Sequence, residues 1–181
     1  MKPMSEKAGV LTQSEEAPAA RPSSAGGSYL VEVCLKPDFT DAEGLAAQWL
    51  LNGAGLSVRA VRTGRLYDLR GALNLGHVNT AVRELLCDCV TQEFRIWHAP
   101  GAAPHNGCLW RVEVWLKPTV TDTVGESVRE ALRDLSIPDI AVRCGFSYHI
   151  AGRCSRQVLE RTVSRSLANP IVHRFSLHEA A

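Results

Sequence analysis

Three kinds of polar side chain recur in pairs 81 residues apart: Lys36 with Lys117, Asp41 with Asp122, and Arg62 with Arg143. Lysine, aspartate and arginine are the types that move protons and hold anions. A general acid or base also needs surroundings that shift its pKa, and the neighbouring residues supply no sign of them. Two readings stand for the pairs. Lys edges a strand, Asp caps a helix and Arg supports a turn beside glycine; or the same residues contact a partner. The remaining chemistry is sparse. His77 has no histidine at the equivalent position, and His149 aligns with Asp68. Cys87-x-Cys89 is too tight for a structural zinc pair and reads as thiols at a helix end. The six cysteines (Cys34, Cys87, Cys89, Cys108, Cys144, Cys154) follow no zinc spacing. No glycine-rich phosphate loop, metal-binding helix or nucleophile elbow is present. The sequence therefore predicts no catalytic, cofactor-binding or metal-ligating residue in this chain.

The pairs belong to a larger repetition. Residues 31–44, from Val31-Glu32-Val33-Cys34-Leu35-Lys36-Pro37 through Asp41 to Gly44, return as residues 112–125 with nine of fourteen positions identical. The match runs on without a gap through Val61-Arg62-x-Gly64 against Val142-Arg143-x-Gly145, Tyr67 against Tyr148, and Phe94 against Phe175. Over residues 29–96 it gives 19 identities in 68 positions. A fixed period of this kind marks a duplication and governs the whole fold. Each half is about 70 residues, a size at which one core is marginal. Two halves packed as one pseudo-symmetric body are expected.

The repeat dictates the elements that must position the paired residues. Tyr29, Val31, Val33 and Leu35 alternate with polar neighbours, as Trp110, Val112, Val114 and Leu116 do, which is the period of a half-buried strand. Pro37 and Pro118 end these strands. Asp41 and Asp122 then stand as N-caps. The helix after Asp122 carries Val124, Val128, Ala131, Leu132 and Leu135 at helical spacing, and Leu45, Trp49, Leu50 and Leu51 are read as the apolar face of its counterpart. Extended runs follow over 58–69 and 140–150, each interrupted by a glycine (Gly64, Gly145) where a bulge or bend is expected. A second helix is predicted over 74–88, with Val78, Val82, Leu85, Leu86 and Cys89 on one face. Its twin begins at a Ser155 cap and stops before Asn169-Pro170. Last strands cover 92–98 and 171–178. The fold class is α+β: two tandem units of strand, helix, bent strand, helix, strand, each an antiparallel sheet with helices on one face, paired as a pseudo-dimer.

Composition bounds the rest. Apolar residues make up 45%, and 20 basic side chains face 19 acidic ones, so no basic field argues for nucleic acid or anionic membrane. Residues 1–28 are rich in Ala, Ser, Pro, Glu and Gly and read as a disordered tail. They hold no apolar run of the roughly 7–15 residues a signal peptide needs, and no stretch reaches the roughly 18 of a membrane span. A cytoplasmic location with reduced thiols is expected. The domain reading is tail 1–28, repeat 29–98, linker 99–109 and repeat 110–181.

At these residues the chain resembles a known family. Leu116-Lys117-Pro118-x-Val120-x-Asp122-x-x-Gly125, then Val142-Arg143-x-Gly145, then Leu167-Ala168-Asn169-Pro170-Ile171-Val172 is similar to PurS, the small subunit of phosphoribosylformylglycinamidine (FGAM) synthase. The first repeat keeps the first two motifs and has Leu86-Cys87-Asp88-Cys89-Val90-Thr91 in place of the third. The family has Asp-Pro before the first helix, where Asp41-Ala42 and Asp122-Thr123 stand here. It has Lys after Val-Arg-x-Gly, where Arg65 and Phe146 stand. The resemblance implies a non-catalytic assembly subunit of a ligase in purine biosynthesis. It would bridge an ATP-dependent synthetase (PurL-type) and a glutaminase (PurQ-type) and help sequester ammonia. The two repeats would replace a homodimer, and ATP, Mg and glutamine would be used by the partner subunits. The rival is an ACT-like regulatory module, in which Thr-Asp-x-x-Gly cradles an amino acid between the halves.

Trp115, aligned with Cys34, lies on the strand face opposite Val112, Val114 and Leu116. An aromatic among charges is typical of an interface anchor, while two sheets can also pack face to face. The expectation is that the sheet faces form the seam between halves. Its contacts, and those of docking partners at its rim, are assigned to Lys36, Asp41, Arg62, Gly64, Trp115, Lys117, Asp122, Arg143 and Gly145.

Overall fold

The computed structural model describes residues 26–98 and 110–179. The predicted linker 99–109, Cys108 and residues 1–25 of the predicted tail lie outside them. The elements run β1 (Gly27–Leu35), α1 (Ala42–Gly53), β2 (Ser57–Gly71), α2 (Leu75–Ala81, continuing as a π-helical turn over Val82–Leu86), β3 (Gln92–His98), then β4 (Trp110–Leu116), α3 (Thr123–Asp134), β5 (Ala141–Arg153), α4 (Arg156–Ser166) and β6 (His173–Glu179). The strands form one antiparallel sheet in the order β3-β1-β2-β5-β4-β6. Exchanging the repeats reverses that order into itself, which is the signature of a pseudo-twofold axis.

The seam is not made by faces. β2 and β5 pair edge to edge, from Ser57 opposite Arg153 to Arg70 opposite Ala141. The reason lies in strand length. β1 pairs only with Gly64–Gly71 of β2, yet β2 is 15 residues long. Its other edge would expose a row of unpaired amides and carbonyls. β5 supplies the missing partners along that whole edge, and β2 does the same for β5. At the centre of this ladder Arg65 faces Phe146, its own counterpart in the repeat, and the guanidinium carbon lies 4.4 Å from the ring centroid. Two identical cations would repel there; a covalent tandem can instead place a cation on an aromatic ring.

Each middle run is one strand. No bulge falls at Gly64 or Gly145; the single irregularity of the β2–β5 ladder falls between Val58 and Ala60. The helices all cover one face, but they cross between repeats. Leu51 of α1 is packed with Trp110, Val112, Ile150, Leu159 and Val163 of the second repeat. Leu132 of α3, its counterpart, is packed with Tyr29, Val31, Leu69, Val78 and Val82 of the first. Each of the two cores therefore contains side chains from both repeats.

Three helix faces differ from expectation. In α1 the buried residues are Gly44, Ala47 and Leu51, while Leu45 and Trp49 are exposed at 56% and 75%. Val124 of α3 and Leu85 of α2 are likewise exposed, as is Cys89. The small residues Gly44 and Ala47 set which side of α1 can approach the sheet. The larger Leu45 and Trp49 are thereby turned outward. In the second helix the shift from α to π winding moves the later residues round the axis relative to a regular 3.6-residue pattern, so Val82 and Leu86 are inside and Leu85 is not.

Because Leu51 and Leu132 each sit at 0% exposure in a core shared by both repeats, Leu51→Ala and Leu132→Ala are each expected to destabilise the chain by about 2–5 kcal/mol. Urea unfolding followed by tryptophan fluorescence and by circular dichroism should report a single shared transition in both variants. Two transitions, with only one moved by each variant, would contradict a shared core.

Candidate functional site

The paired polar residues hold helix caps and strand ends in place. Asp41 and Asp122 cap α1 and α3 by accepting from the amides of Gly44 and Gly125, at 2.7 and 2.8 Å. Each uses its second carboxylate oxygen to accept from β2 or β5, at the Thr63 and Cys144 amides, both at 2.6 Å. Arg62 and Arg143 donate to the carbonyls of Leu35 and Leu116. Lys36 donates to the carbonyls of Cys89 and Val90, and Lys117 to that of Pro170. The four cations tie the ends of β1 and β4 to the elements around them, and the two aspartates tie the starts of α1 and α3 to β2 and β5. Burial and the Asp122 carboxylate together push the Cys144 thiol up to about 12, which leaves it an unreactive group.

The unusual chemistry lies on the sheet face that carries no helix among the described residues. With Val31 and Val33 turned to the core, strand alternation sends Glu32 and Cys34 to this face. It does the same for Arg111, Glu113 and Trp115 of β4, and for Gly145, Ser147 and His149 of β5. β1 and β4 are separated by two strands, about 14 Å in a flat sheet. Glu32 and Arg111 nevertheless meet, Arg111 Nη1 donating to Glu32 Oε1 at 2.8 Å, both residues at 1% exposure. Gly64 makes the crossing possible. A Cβ there would stand 2.6 Å from Ser147 Oγ and 2.8 Å from Cys34 Sγ. With glycine, Glu32 lies over β2 and reaches β5, where Ser147 Oγ donates to its Oε1 and His149 Nε2 lies 2.8 Å away. The same freedom at Gly145 is used by the ring of Trp115, which would stand 2.6 Å from a Cβ at that position.

Arg111 is the hub. Its Nε donates to Glu113 Oε1 at 2.9 Å, and its Nη1 is 3.3 Å from His149 Nε2. The Trp97 ring lies 5.5 Å from the guanidinium carbon. Trp115 Nε1 donates to Glu113 Oε2 at 3.3 Å. Burial alone would raise the pKa of Glu32. The hydrogen bond and charge of His149, the Arg111 guanidinium and the Ser147 hydroxyl outweigh it and hold the carboxyl down at about 2. Burial disfavours charge on Arg111 too, and Glu32 and then Glu113 overcome it. The satisfaction is lopsided, however. Glu32 Oε1 takes three partners, while Glu32 Oε2 and Arg111 Nη2 are buried with none among the described residues.

This cluster breaks the repeat. The counterparts of Glu32, Cys34 and His149 are Glu113, Trp115 and Asp68, and Ser147 answers to Leu66. In sequence His149 reads as an ordinary strand or loop histidine, and Arg111 only as a member of the polar strand face with Glu113, Trp115 and Lys117. Their lack of a twin was the available signal, since one-sided polar residues on a duplicated sheet are where the copies have diverged. Of the residues expected at a seam or partner contact, Arg62, Gly64, Arg143 and Gly145 lie in the β2–β5 ladder itself. Trp115 is half-buried over Gly145.

On the helix side a groove of about 360 Å³ opens between β5 and the start of α3, lined by Tyr67, Val114, Leu116, Val124, Cys144 and Phe146. On α1 an outward pair, Leu45 and Trp49, stands one turn apart. Among the described residues no helix is long and apolar enough to cross a membrane.

Residues 109–180 match the family model PurS: Phosphoribosylformylglycinamidine (FGAM) synthase. The match covers the second repeat, which is similar to PurS; the first repeat follows it strand for strand and helix for helix in the palindromic sheet. The match supports a role in the FGAM synthase of purine biosynthesis. No curated protein matches the chain.

Removing one partner of a buried ion pair leaves the other charge stranded, at a cost of about 3–5 kcal/mol. Arg111→Met is therefore expected to lower urea stability by that amount at neutral pH. Arg111→Met combined with Glu32→Gln should recover most of the loss. A double variant no more stable than the single one would show that packing, and not the charge pair, dominates this face.

Proposed function

We propose that this chain is the assembly subunit of an FGAM synthase, joining an ATP-dependent synthetase subunit to a glutaminase subunit and helping to keep the ammonia path closed between them. The observation that carries the reading is the palindromic six-stranded sheet, whose second repeat is PurS-like. One chain then supplies the pair of units for which a dimer would otherwise be needed. The synthetase (PurL-type) and glutaminase (PurQ-type) subunits bring the nucleophile, ATP, Mg and glutamine, and the complex works in the cytoplasm. Nothing in the paired residues argues for catalysis in this chain, because their polar atoms are already engaged in holding strands and caps together.

Those same bonds weigh against an amino-acid sensor. An ACT-like site would need the Thr-Asp-x-x-Gly turn to present free polar groups to a ligand. Here Asp41 and Asp122 spend both carboxylate oxygens on backbone amides of α1 and β2, or of α3 and β5.

For the docking contact, α1 is favoured over the strand face around Trp115. Trp49 is 75% exposed and Leu45 56% exposed on the same helix face. An exposed tryptophan beside an aliphatic side chain is the composition of an interface anchor. Trp115, by contrast, is held by Glu113 and covers Gly145.

The purified chain is expected to hydrolyse neither ATP nor glutamine, and to co-elute with the synthetase and glutaminase when all three are mixed with glutamine and nucleotide. Trp49→Ala with Leu45→Ala should abolish co-elution while leaving the thermal midpoint within about 2 °C, as surface changes do. Co-elution that survives this double variant would remove α1 from the interface. Failure of the wild-type chain to associate with either subunit would refute the assembly role.

A further inference from the structure

Glu32, Cys34 and His149 each place one potential ligand atom within 4.8 Å of the others'. We propose that they form a binding site for a divalent transition-metal ion of borderline softness, zinc above all, on the helix-free face at the seam. The inference goes beyond the assembly role and does not depend on it. It also departs from the sequence expectation of no metal ligand, which rested on linear spacing. Two ligands come from β1 of the first repeat and one from β5 of the second, so no motif along the chain could have displayed them.

Three observations converge. The donor set is carboxylate, thiol and imidazole, the types that bind zinc. Zinc holds such ligands at about 2.0–2.3 Å, which sets them roughly 3.5 Å apart; atoms already within 4.8 Å need only small side-chain rotations to close on an ion. Next, Glu32 is 1% exposed and its Oε2 is buried with no partner among the described residues, while Oε1 takes three. A buried carboxylate oxygen left empty costs free energy, and a cation is the ligand that removes that cost. Third, the charge closes. Arg111 beside the site would repel a cation if it stood alone, but it is matched by Glu113 as well as Glu32. Two carboxylates and a Cys34 thiolate against Arg111 and a divalent ion sum to zero.

The broken symmetry explains why there is one such site. At the equivalent place in the other half of the seam, Trp115 stands where Cys34 would be, its ring laid over Gly145, and Asp68 stands where His149 would be. Asp68 is bound there by Arg70. Cys34 is half-buried and the donors number three. Three protein ligands with one position left over is the arrangement of exchangeable and catalytic zinc sites, whereas closed structural sites use four.

The test uses the full chain, reduced and stripped with a chelator, then titrated with Co²⁺ and, separately, with Zn²⁺ against a chromophoric chelator. One equivalent of each ion is expected to bind. The cobalt form should show a thiolate-to-metal charge-transfer band, and zinc should raise the thermal midpoint. Cys34→Ser should remove the band, and His149→Gln should remove the zinc-dependent thermal shift, with the far-ultraviolet circular dichroism of both variants unchanged. Cys89→Ser, at an exposed thiol, should change neither. No retained metal in the wild-type chain would overturn the proposal. So would a charge-transfer band that persists in Cys34→Ser or disappears in Cys89→Ser. Should His149→Gln fail to fold, the Cys34→Ser and Cys89→Ser arms decide the outcome.

Discussion

The ladder between β2 and β5 is the constraint on which the rest depends. It joins the repeats through backbone hydrogen bonds along almost the full length of both strands. The two edges that would otherwise be exposed are thereby spent on each other. Once the ladder is fixed, the helices have one arrangement that buries their apolar sides: α1 beside α4 on one flank, α2 beside α3 on the other. Neither repeat has a core of its own. A unit of about 70 residues would be marginal alone, and this geometry gives each unit the other's helix as the missing layer.

A symmetric dimer built this way must place identical residues opposite each other at its axis. The tandem chain is free of that requirement, and its residues show it. Arg65 meets Phe146 across the axis on the helix side. On the other side one glycine, Gly64, is crossed by a carboxylate and the other, Gly145, by an indole. The polar cluster of Glu32, Arg111, Glu113, Ser147 and His149 could not exist twice in this form, because Arg111, Ser147 and His149 have Leu30, Leu66 and Asp68 at the equivalent positions. Duplication preserved the backbone frame, with its caps, strand ends and ladder. Divergence at the axis then fell on both sides of the sheet, and its polar part on the face that none of the described helices covers.

Much of this frame was legible before any coordinates. The 81-residue period located every element, and Asp41, Asp122 and Ser155 cap the helices they were expected to cap. The edge-to-edge seam was not legible, because strand alternation says which side chains share a face and nothing about which strand lies beside which. The apolar sides of α1 and α3 were partly misread for a related reason: Gly44, Ala47 and Gly125 contribute little hydrophobicity but allow the closest approach to the sheet. Leu45, Trp49 and Val124 look like core by type and lie outside by geometry. The Glu32 cluster escaped notice because its contacts span 79 to 117 residues. Only the mismatch of the copies at His149, Ser147 and Arg111 pointed toward it.

The central claim is that the two repeats are one cooperative body whose seam is among its last parts to open. Native-state hydrogen exchange measures this residue by residue, since each amide reports the free energy of the opening that exposes it. Amides of Leu66 and Ile150 in the β2–β5 ladder are expected to exchange only through global unfolding. Their opening free energies should equal those of Val31 in β1 and Val112 in β4, and all should shift together with denaturant. Seam amides that exchange at clearly lower free energy than those of β1 and β4 would mean that the repeats part first and fold separately, which would contradict the account.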